Sequence, residues 1–506
     1  MGAITDNIAT AQLQELHGYT DALVRSRSTF HVVFMAFVLA AIPYGLATSL
    51  YYPLINGGPA TIIWGWFTTS MIIICVAVSL AEITSVYPTA GGVYYQTYML
   101  LPQSSRKLGS WICGSAYAFG NILITLAVNF GTTGFIIGCI NIFESAPGVP
   151  IFPATTYQQF LLFVAVTLLC NTTSSLGNRW LPLLDTFAIF WTFAGLIALV
   201  VCLLTVANNG RNSPAYIFGH FEPMSGWPSG WAFCVGLLQA AYATSSTGMV
   251  ISMCEEVKSP HTQVPKAIVG TVLLNPLAGL LFLIPVVAVL PDITTLINTN
   301  QPLPTIVLSA IGHKPASFAL CLPLMILAIF CGIGCTTAAS RCVWAFARDG
   351  ALPGSKYWMR VNRRLSIPLN AMMLSMAVQI ALGLIYFGSE AAFNAFSSSG
   401  VIFLTVSYAV PIAVSLATGR RDVKRGRFHM GVFGLACNVV ALGWSALAVP
   451  LFCMPSYLPV TTMTVNYSCV VFVGFIAAAA GWYWLWGYKG FEGPKVGELE
   501  VLEVVG

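Results

Sequence analysis

The residues best suited to holding a small molecule lie inside an apolar stretch running from about Gly230 to Met253. Its middle reads Tyr242-Ala-Thr-Ser-Ser-Thr-Gly248. Thr244, Ser245, Ser246 and Thr247 put four hydroxyls in succession, and Gly248 follows. Such hydroxyls offer the backbone competing hydrogen bonds, and glycine relaxes it further, so regular helix is disfavoured here. The stretch is long enough to cross a bilayer, since roughly 20 apolar residues cover the ~30 Å hydrocarbon core. Backbone groups freed at mid-membrane are tolerated only where protein or a watery cavity meets them. Two half-helix ends would then aim their dipoles into that cavity, the N–H end suiting a carboxylate and the carbonyl end an ammonium. In the other reading, the hydroxyls bond back to their own preceding turn or join neighbouring helices. A second stretch bears on the choice. The first apolar run carries Pro43 and Gly45 at mid-depth, with Tyr44 and Thr48 beside them. Proline removes a donor and crowds the preceding turn, so this run is expected to be interrupted too, by a kink at the least.

The elements that position these residues follow from composition. The chain has 506 residues, of which 57% are hydrophobic and only 8% charged, and its mean hydropathy is +0.80. Soluble domains carry about 25% charged residues, so this is a polytopic membrane protein. Apolar windows fall at about 30–52, 61–86, 109–142, 157–176, 183–206, 230–254, 267–290, 317–346, 369–387, 392–417, 431–453 and 466–487. They are numbered here as spans one to twelve. No cleavable leader precedes the first, which places the N-terminus in the cytoplasm. On that topology every Lys and Arg except Arg211 and Lys314 falls on the cytoplasmic side, as the positive-inside rule requires. The net charge of +5 is thus an orientation signal with some attraction to anionic lipid, and nucleic acid is not an expected partner. The fourteen cysteines sit mostly in apolar runs without ligand spacing, which marks them as small buried hydrophobes. The six histidines are scattered. Neither a metal site, nor a cofactor, nor an enzymatic nucleophile is expected.

Spans one and six, both interrupted at mid-depth, lie five spans apart. That spacing predicts a five-plus-five inverted repeat whose first helices are discontinuous, with two further helices at the end. The fold class expected is therefore an all-α polytopic membrane protein of twelve helices. It comprises a cytoplasmic tail over 1–29, a transporter domain over 30–488 and a second tail over 489–506. The mid-depth shell comprises Tyr44, Gly45 and Thr48 of span one and Tyr242 and Thr244 to Gly248 of span six. Spans three and eight offer Tyr117, Phe119 and Asn121, and Phe330 and Gly332. No charged residue or histidine sits at the midplane of any span. Backbone dipoles, hydroxyls and aromatic faces would have to hold the ligand, with Tyr117, Phe119, Tyr242 and Phe330 available to a cationic head.

Charged residues do gather at the inner membrane boundary. Glu82 lies there, as do Glu255 and Glu256, which end span six where carboxylates oppose the helix dipole by a few tenths to about 1 kcal/mol. Lys258, Arg341 and Arg348 are the candidate partners. Either these are solvated interface charges, or they form a gate of ion pairs broken when the inner vestibule opens.

Four connections carry a resemblance. They are Asn56-Gly-Gly-Pro-Ala60, Ser79-Leu-Ala-Glu-Ile-Thr-Ser-Val-Tyr-Pro-Thr-Ala-Gly-Gly92, Gly248-Met-Val-Ile-Ser-Met-Cys-Glu-Glu-Val257 with Val264-Pro265 behind it, and Ser340-Arg-Cys-Val-Trp-Ala-Phe-Ala-Arg-Asp-Gly-Ala-Leu-Pro353. In this order they resemble the amino acid–polyamine–organocation permeases. Together they are similar to the fungal branch that contains γ-aminobutyrate and choline permeases. The resemblance covers residues 30 to 488. It implies a LeuT-type fold, substrate bound between spans one, three, six and eight, and proton-coupled uptake of an amino acid or small amine at the plasma membrane. Thiamine and polyamine permeases belong to the same branch and remain alternatives. A nutrient receptor on the same fold is another, although such receptors carry long cytoplasmic extensions and the tails here are short. In sodium-coupled relatives of the fold, hydroxyls at the places of Thr336 and Thr337 hold a cation. The lysine that some proton-coupled relatives carry on span five has no counterpart between Leu183 and Leu204. Thr244 to Gly248 stand where bacterial relatives often show a Phe-Gly-Phe-Asp-like break.

Overall fold

The structure is a computed structural model that describes residues 29–146, 149–177, 180–299, 301–362, 364–461 and 465–494. Most of the two expected tails, with Arg25, Arg27 and Lys495, lies outside the described residues, as do Arg179 and Arg363. Twelve helices are long and apolar enough to cross a membrane: Ala36–Ile55, Gly58–Val86, Arg106–Ile140, Thr156–Leu176, Thr186–Thr205, Ser229–Glu256, Pro260–Ala288, Lys314–Arg348, Leu369–Phe387, Phe393–Ala417, Gly431–Leu451 and Ser468–Gly490. They keep the numbers one to twelve and coincide with the windows read from hydropathy to within a few residues.

Each of the first four spans packs against the span five places later. Gly45 of span one would set a Cβ only 3.1 Å from that of Ala243 in span six. The indole of Trp66 in span two donates to the Pro276 carbonyl of span seven, and Gly279 makes room for its ring. Gly114 of span three faces Phe346 of span eight, while Asn129 faces Gly332 about four turns away. Gly383 of span nine receives Phe160 and Phe163 of span four. In the span three–eight pair the contact positions rise on one helix as they fall on the other, so the two spans run antiparallel. Small residues at these contacts let helix backbones approach closely, which supplies the packing that lipid-embedded helices depend on.

Span one breaks where the proline dictates. A helix over Thr29–Ala40 ends at Ala41, a fully buried residue in the left-handed region with φ 39°, and a second helix runs over Ile42–Thr48. Pro43 has no N–H to give the Leu39 carbonyl. Restarting the helix at Ile42 puts the proline in a first turn, where that donor is not needed. The Leu39 carbonyl instead accepts from the Cys331 thiol of span eight at 3.5 Å. The interruption thus falls at Ala41, two residues before Pro43.

Span six leaves regular α-helix at the hydroxyl run, where the sequence disfavours it. Its α-helix stops at Thr244, but the chain continues as a 3-10 helix over Ser245–Glu256, twelve residues long. Runs beyond three or four residues are uncommon because three-residue bonding has poorer geometry. The hydroxyl run explains the switch. The Ser245 amide reaches Tyr242 in place of Ala241, and the Thr244 hydroxyl serves the skipped Ala241 carbonyl at 3.4 Å as well as that of Ala240 at 2.7 Å. The Ser245 hydroxyl returns to Tyr242 at 2.8 Å, and that of Thr247 to Thr244 at 2.6 Å. These three side chains close their own helix, as the second sequence reading allowed.

Candidate functional site

Two adjoining cavities lie where the interrupted spans cross. The first is narrow, about 20 Å³. Span one contributes Leu39, Ala40, Tyr44 and Gly45, span six Tyr242, Ala243, Ser245 and Ser246, span three Ile124 and Val128, and span eight Cys331 and Cys335. The second, about 150 Å³, is lined by Thr48, Ser49, Tyr52, Phe130, Leu238, Asn394 and Ser398 among others, and Asn394 is exposed at its rim. Tyr242 lines both and forms the wall between them. No charged side chain lines either cavity among the described residues. Polar handles come from the Ser246 hydroxyl, which bonds no protein group among the described residues, from the hydroxyls of Tyr52 and Ser398, and from the Asn394 amide.

The expected shell is assembled only in part. Tyr44, Gly45, Tyr242, Ser245 and Ser246 meet at the first cavity, and Thr48 lines the second while returning its hydroxyl to the Tyr44 and Gly45 carbonyls. The Tyr44 hydroxyl is already used: it donates to the Val128 carbonyl at 2.9 Å and meets Thr132 at 3.0 Å. Thr244 and Thr247 line neither cavity. Phe330 is a correction. It lies edge-on to Phe187 at 6.1 Å, in the apolar contact of spans one, five and eight. Helical phase is the reason: Cys331 and Cys335, one turn apart, own the cavity face of span eight, and Phe330 is turned about 100° away. Gly332 instead packs on Asn129 and Cys170. Phe119 likewise leaves the site, stacking on Phe475 of span twelve with centroids 4.0 Å apart.

Tyr117, Asn121 and Gly248 lie beyond the first cavity, along the 3-10 stretch. The Tyr117 hydroxyl donates to the Gly248 carbonyl at 3.1 Å. The Asn121 amide turns back to the Tyr117 carbonyl at 2.7 Å, leaving its buried Oδ1 without a partner. A residue missed in the sequence completes the arrangement. Tyr408 of span ten donates to the Ser245 carbonyl at 3.1 Å, and its ring occupies the space a Cβ on Gly248 would need, at 2.5 Å. Nothing local in span ten marks this tyrosine. Thr337 is held by Ser174 at 2.8 Å and by its own helix, while the buried Thr336 hydroxyl has no partner.

The far end of span six is closed by ion pairs. Arg341, fully buried, places Nε 2.8 Å from Glu256, and its Nη1 donates to the Ser340 hydroxyl. Arg348 reaches both oxygens of Glu255 at 3.0 Å and lies over the Trp344 ring at 4.7 Å. Glu255 also accepts from the Ala90 amide at 3.3 Å, and Asp349, 3.6 Å from Arg348, accepts from the Tyr94 hydroxyl at 2.8 Å. The two arginines therefore bind span eight to span six, and Glu255 and Asp349 tie this cluster to the segment after span two. Both offset the unfavourable dipole of the carboxylates at a helix end. Glu82 is a correction: it pairs with Arg420 at 2.5 Å and accepts the Met430 amide at 2.7 Å. Span two runs down to the loop between spans ten and eleven, so Arg420 lies nearer to Glu82 than either span-eight arginine. Lys258 is exposed.

A twelve-helix inverted repeat with crossed, interrupted spans one and six and an uncharged cavity between them defines a membrane permease. The description "Amino acid permease" matches residues 28–475, and the chain belongs to that family. It is an integral multi-pass membrane protein. An uncharacterised amino-acid permease of Schizosaccharomyces pombe is 31% identical over 493 residues, covering 96% of this chain and 89% of the relative. The choline transporter of Saccharomyces cerevisiae is 29% identical, covering 95% and 85%. The GABA-specific permease of the same yeast is also 29% identical, covering 100% and 88%.

Proposed function

We propose that the chain is a secondary active transporter that takes up an amino acid or small amine, of the γ-aminobutyrate or choline kind, together with protons. The observation that carries this reading is the uncharged, aromatic-walled cavity at the crossing of spans one and six, with two arginine–carboxylate pairs at the far end of span six. A cationic head fits the faces of Tyr242 and, in the adjoining cavity, Tyr52 and Phe130, since aromatic rings attract ammonium groups without a counter-charge. The Ser246 hydroxyl is free to bond an ammonium or carboxylate. The ion pairs are the gate on the cytoplasmic side, with both termini in the cytoplasm and the protein in the plasma membrane. Substrate enters by the second cavity past Tyr242, and opening of the pairs releases it inward. Thr336, whose buried hydroxyl awaits a partner, and Thr337 beside it are the residues proposed for the coupling ion.

Uptake of labelled choline, γ-aminobutyrate, spermidine, thiamine and neutral amino acids by a host lacking its own carriers tests the proposal. Accumulation of one of them above its external concentration is the expected result. Binding without accumulation would make the chain a receptor.

A further inference from the structure

A twelve-residue 3-10 helix does not hold itself, because its hydrogen bonds are strained and α-helix is the better local state. Neighbouring spans must hold it, and the contacts that do so are visible. Tyr408 of span ten donates to the Ser245 carbonyl and Tyr117 of span three to the Gly248 carbonyl, both at 3.1 Å. The two rings meet edge to face with centroids 6.3 Å apart, and Gly248, lacking a Cβ, lets the Tyr408 ring close in. Below them the Ser252 hydroxyl spans from its own helix to the Ala338 carbonyl of span eight at 3.2 Å. The stretch then ends in Glu255 and Glu256, held by Arg348 and Arg341.

We infer that Tyr408 and Tyr117 are positioning residues of the transport cycle, latching the second half of span six in its 3-10 form, and that their release lets it convert to α-helix. The geometry gives the consequence. The 3-10 form rises about 2.0 Å per residue and the α-form 1.5 Å, so twelve residues shorten by about 6 Å and the far end turns through about two thirds of a revolution. Neither Glu255 nor Glu256 keeps its arginine after such a change. The latch thereby joins the cavity, where Ser245 forms part of the wall, to the ion pairs at the far end. This inference rests on the transporter reading.

The test measures the length of span six in the full chain. Spin labels go on Ser229→Cys and Lys258→Cys, both exposed positions flanking the span, in a Cys469→Ser background that removes the exposed cysteine among the described residues. Tyr408→Phe and Tyr117→Phe each keep the ring and remove only the hydroxyl. In each, a population with the labels about 6 Å closer is expected to grow relative to the parent. If one variant fails to fold, the other carries the test. Loss of uptake with the parent's distance distribution would overturn the latch and leave the tyrosines as packing residues. A shortened population in a protein that accumulates none of the probes would support the latch and sink the transporter reading instead.

Discussion

Gly248 concentrates several demands in one residue. It must leave room for Tyr408, whose ring atoms would stand 2.5 and 2.7 Å from a Cβ, and present its carbonyl to Tyr117. Gly248→Val adds two methyls where one carbon already collides and stiffens the backbone at χ1. Uptake should be lost while the protein still reaches the membrane, as surface labelling would show. Gly248→Ala should be intermediate, with uptake reduced severalfold. Normal kinetics in a correctly targeted Gly248→Val protein would mean that Tyr408 yields easily and that the stretch is not tightly fitted. Tyr242 gives a separate prediction, because it alone borders both cavities. Tyr242→Ala removes the aromatic face and joins the two spaces, so substrate affinity should fall about five- to thirtyfold, the ~1–2 kcal/mol of a desolvated cation–π contact. An unchanged KM for the transported substrate would place the ammonium elsewhere.

Among the elements, spans six and eight depend most on each other through their charged ends. Arg341 is completely enclosed, so Arg341→Ala would remove the guanidinium that faces the buried Glu256, at a cost to the closed arrangement of about 3–5 kcal/mol. The closed population should shrink and cytoplasmic cysteine labelling of the vestibule should rise, with uptake rate falling more than outward-facing affinity. Arg348 is partly exposed, and its loss should act in the same direction but less. Exchanging the charges in Arg348→Glu with Glu255→Arg should recover part of the loss that each single change causes, the sign of a direct pair. Glu82 belongs to a different contact. Glu82→Gln should weaken the hold of the loop between spans ten and eleven on span two, and Arg348→Glu should not add to its effect beyond simple additivity. Coupling between Glu82 and Arg348 in such a cycle would contradict the arrangement described.

For the whole molecule the open question is the driving ion. Uptake should collapse with a protonophore and persist when sodium is replaced by choline-free potassium medium. Sodium dependence with indifference to the protonophore would instead point to Thr336 and its neighbours as a sodium site.

The chain by itself determined a great deal at coarse scale. Twelve apolar windows and the two interruptions five spans apart are local or additive properties, because a bilayer imposes length and polarity on each segment separately. The interrupted stretches were legible for the same reason, through Pro43 and through the hydroxyl run ending at Gly248. Which side chains meet was not. A rotation of 100° per residue decides that Cys331 faces the cavity and Phe330 faces span five, and hydropathy carries no phase when a helix is apolar all round. The form taken by span six also lay beyond the sequence. Hydroxyls announce that regular α-helix will fail, but a 3-10 helix instead of a gap requires Tyr117 and Tyr408, 131 and 163 residues away from their acceptors. The partners of the inner carboxylates were decided likewise by how the spans converge: Arg341 and Arg348 took Glu256 and Glu255, while Arg420, indistinguishable in sequence from the orienting charges beside it, took Glu82.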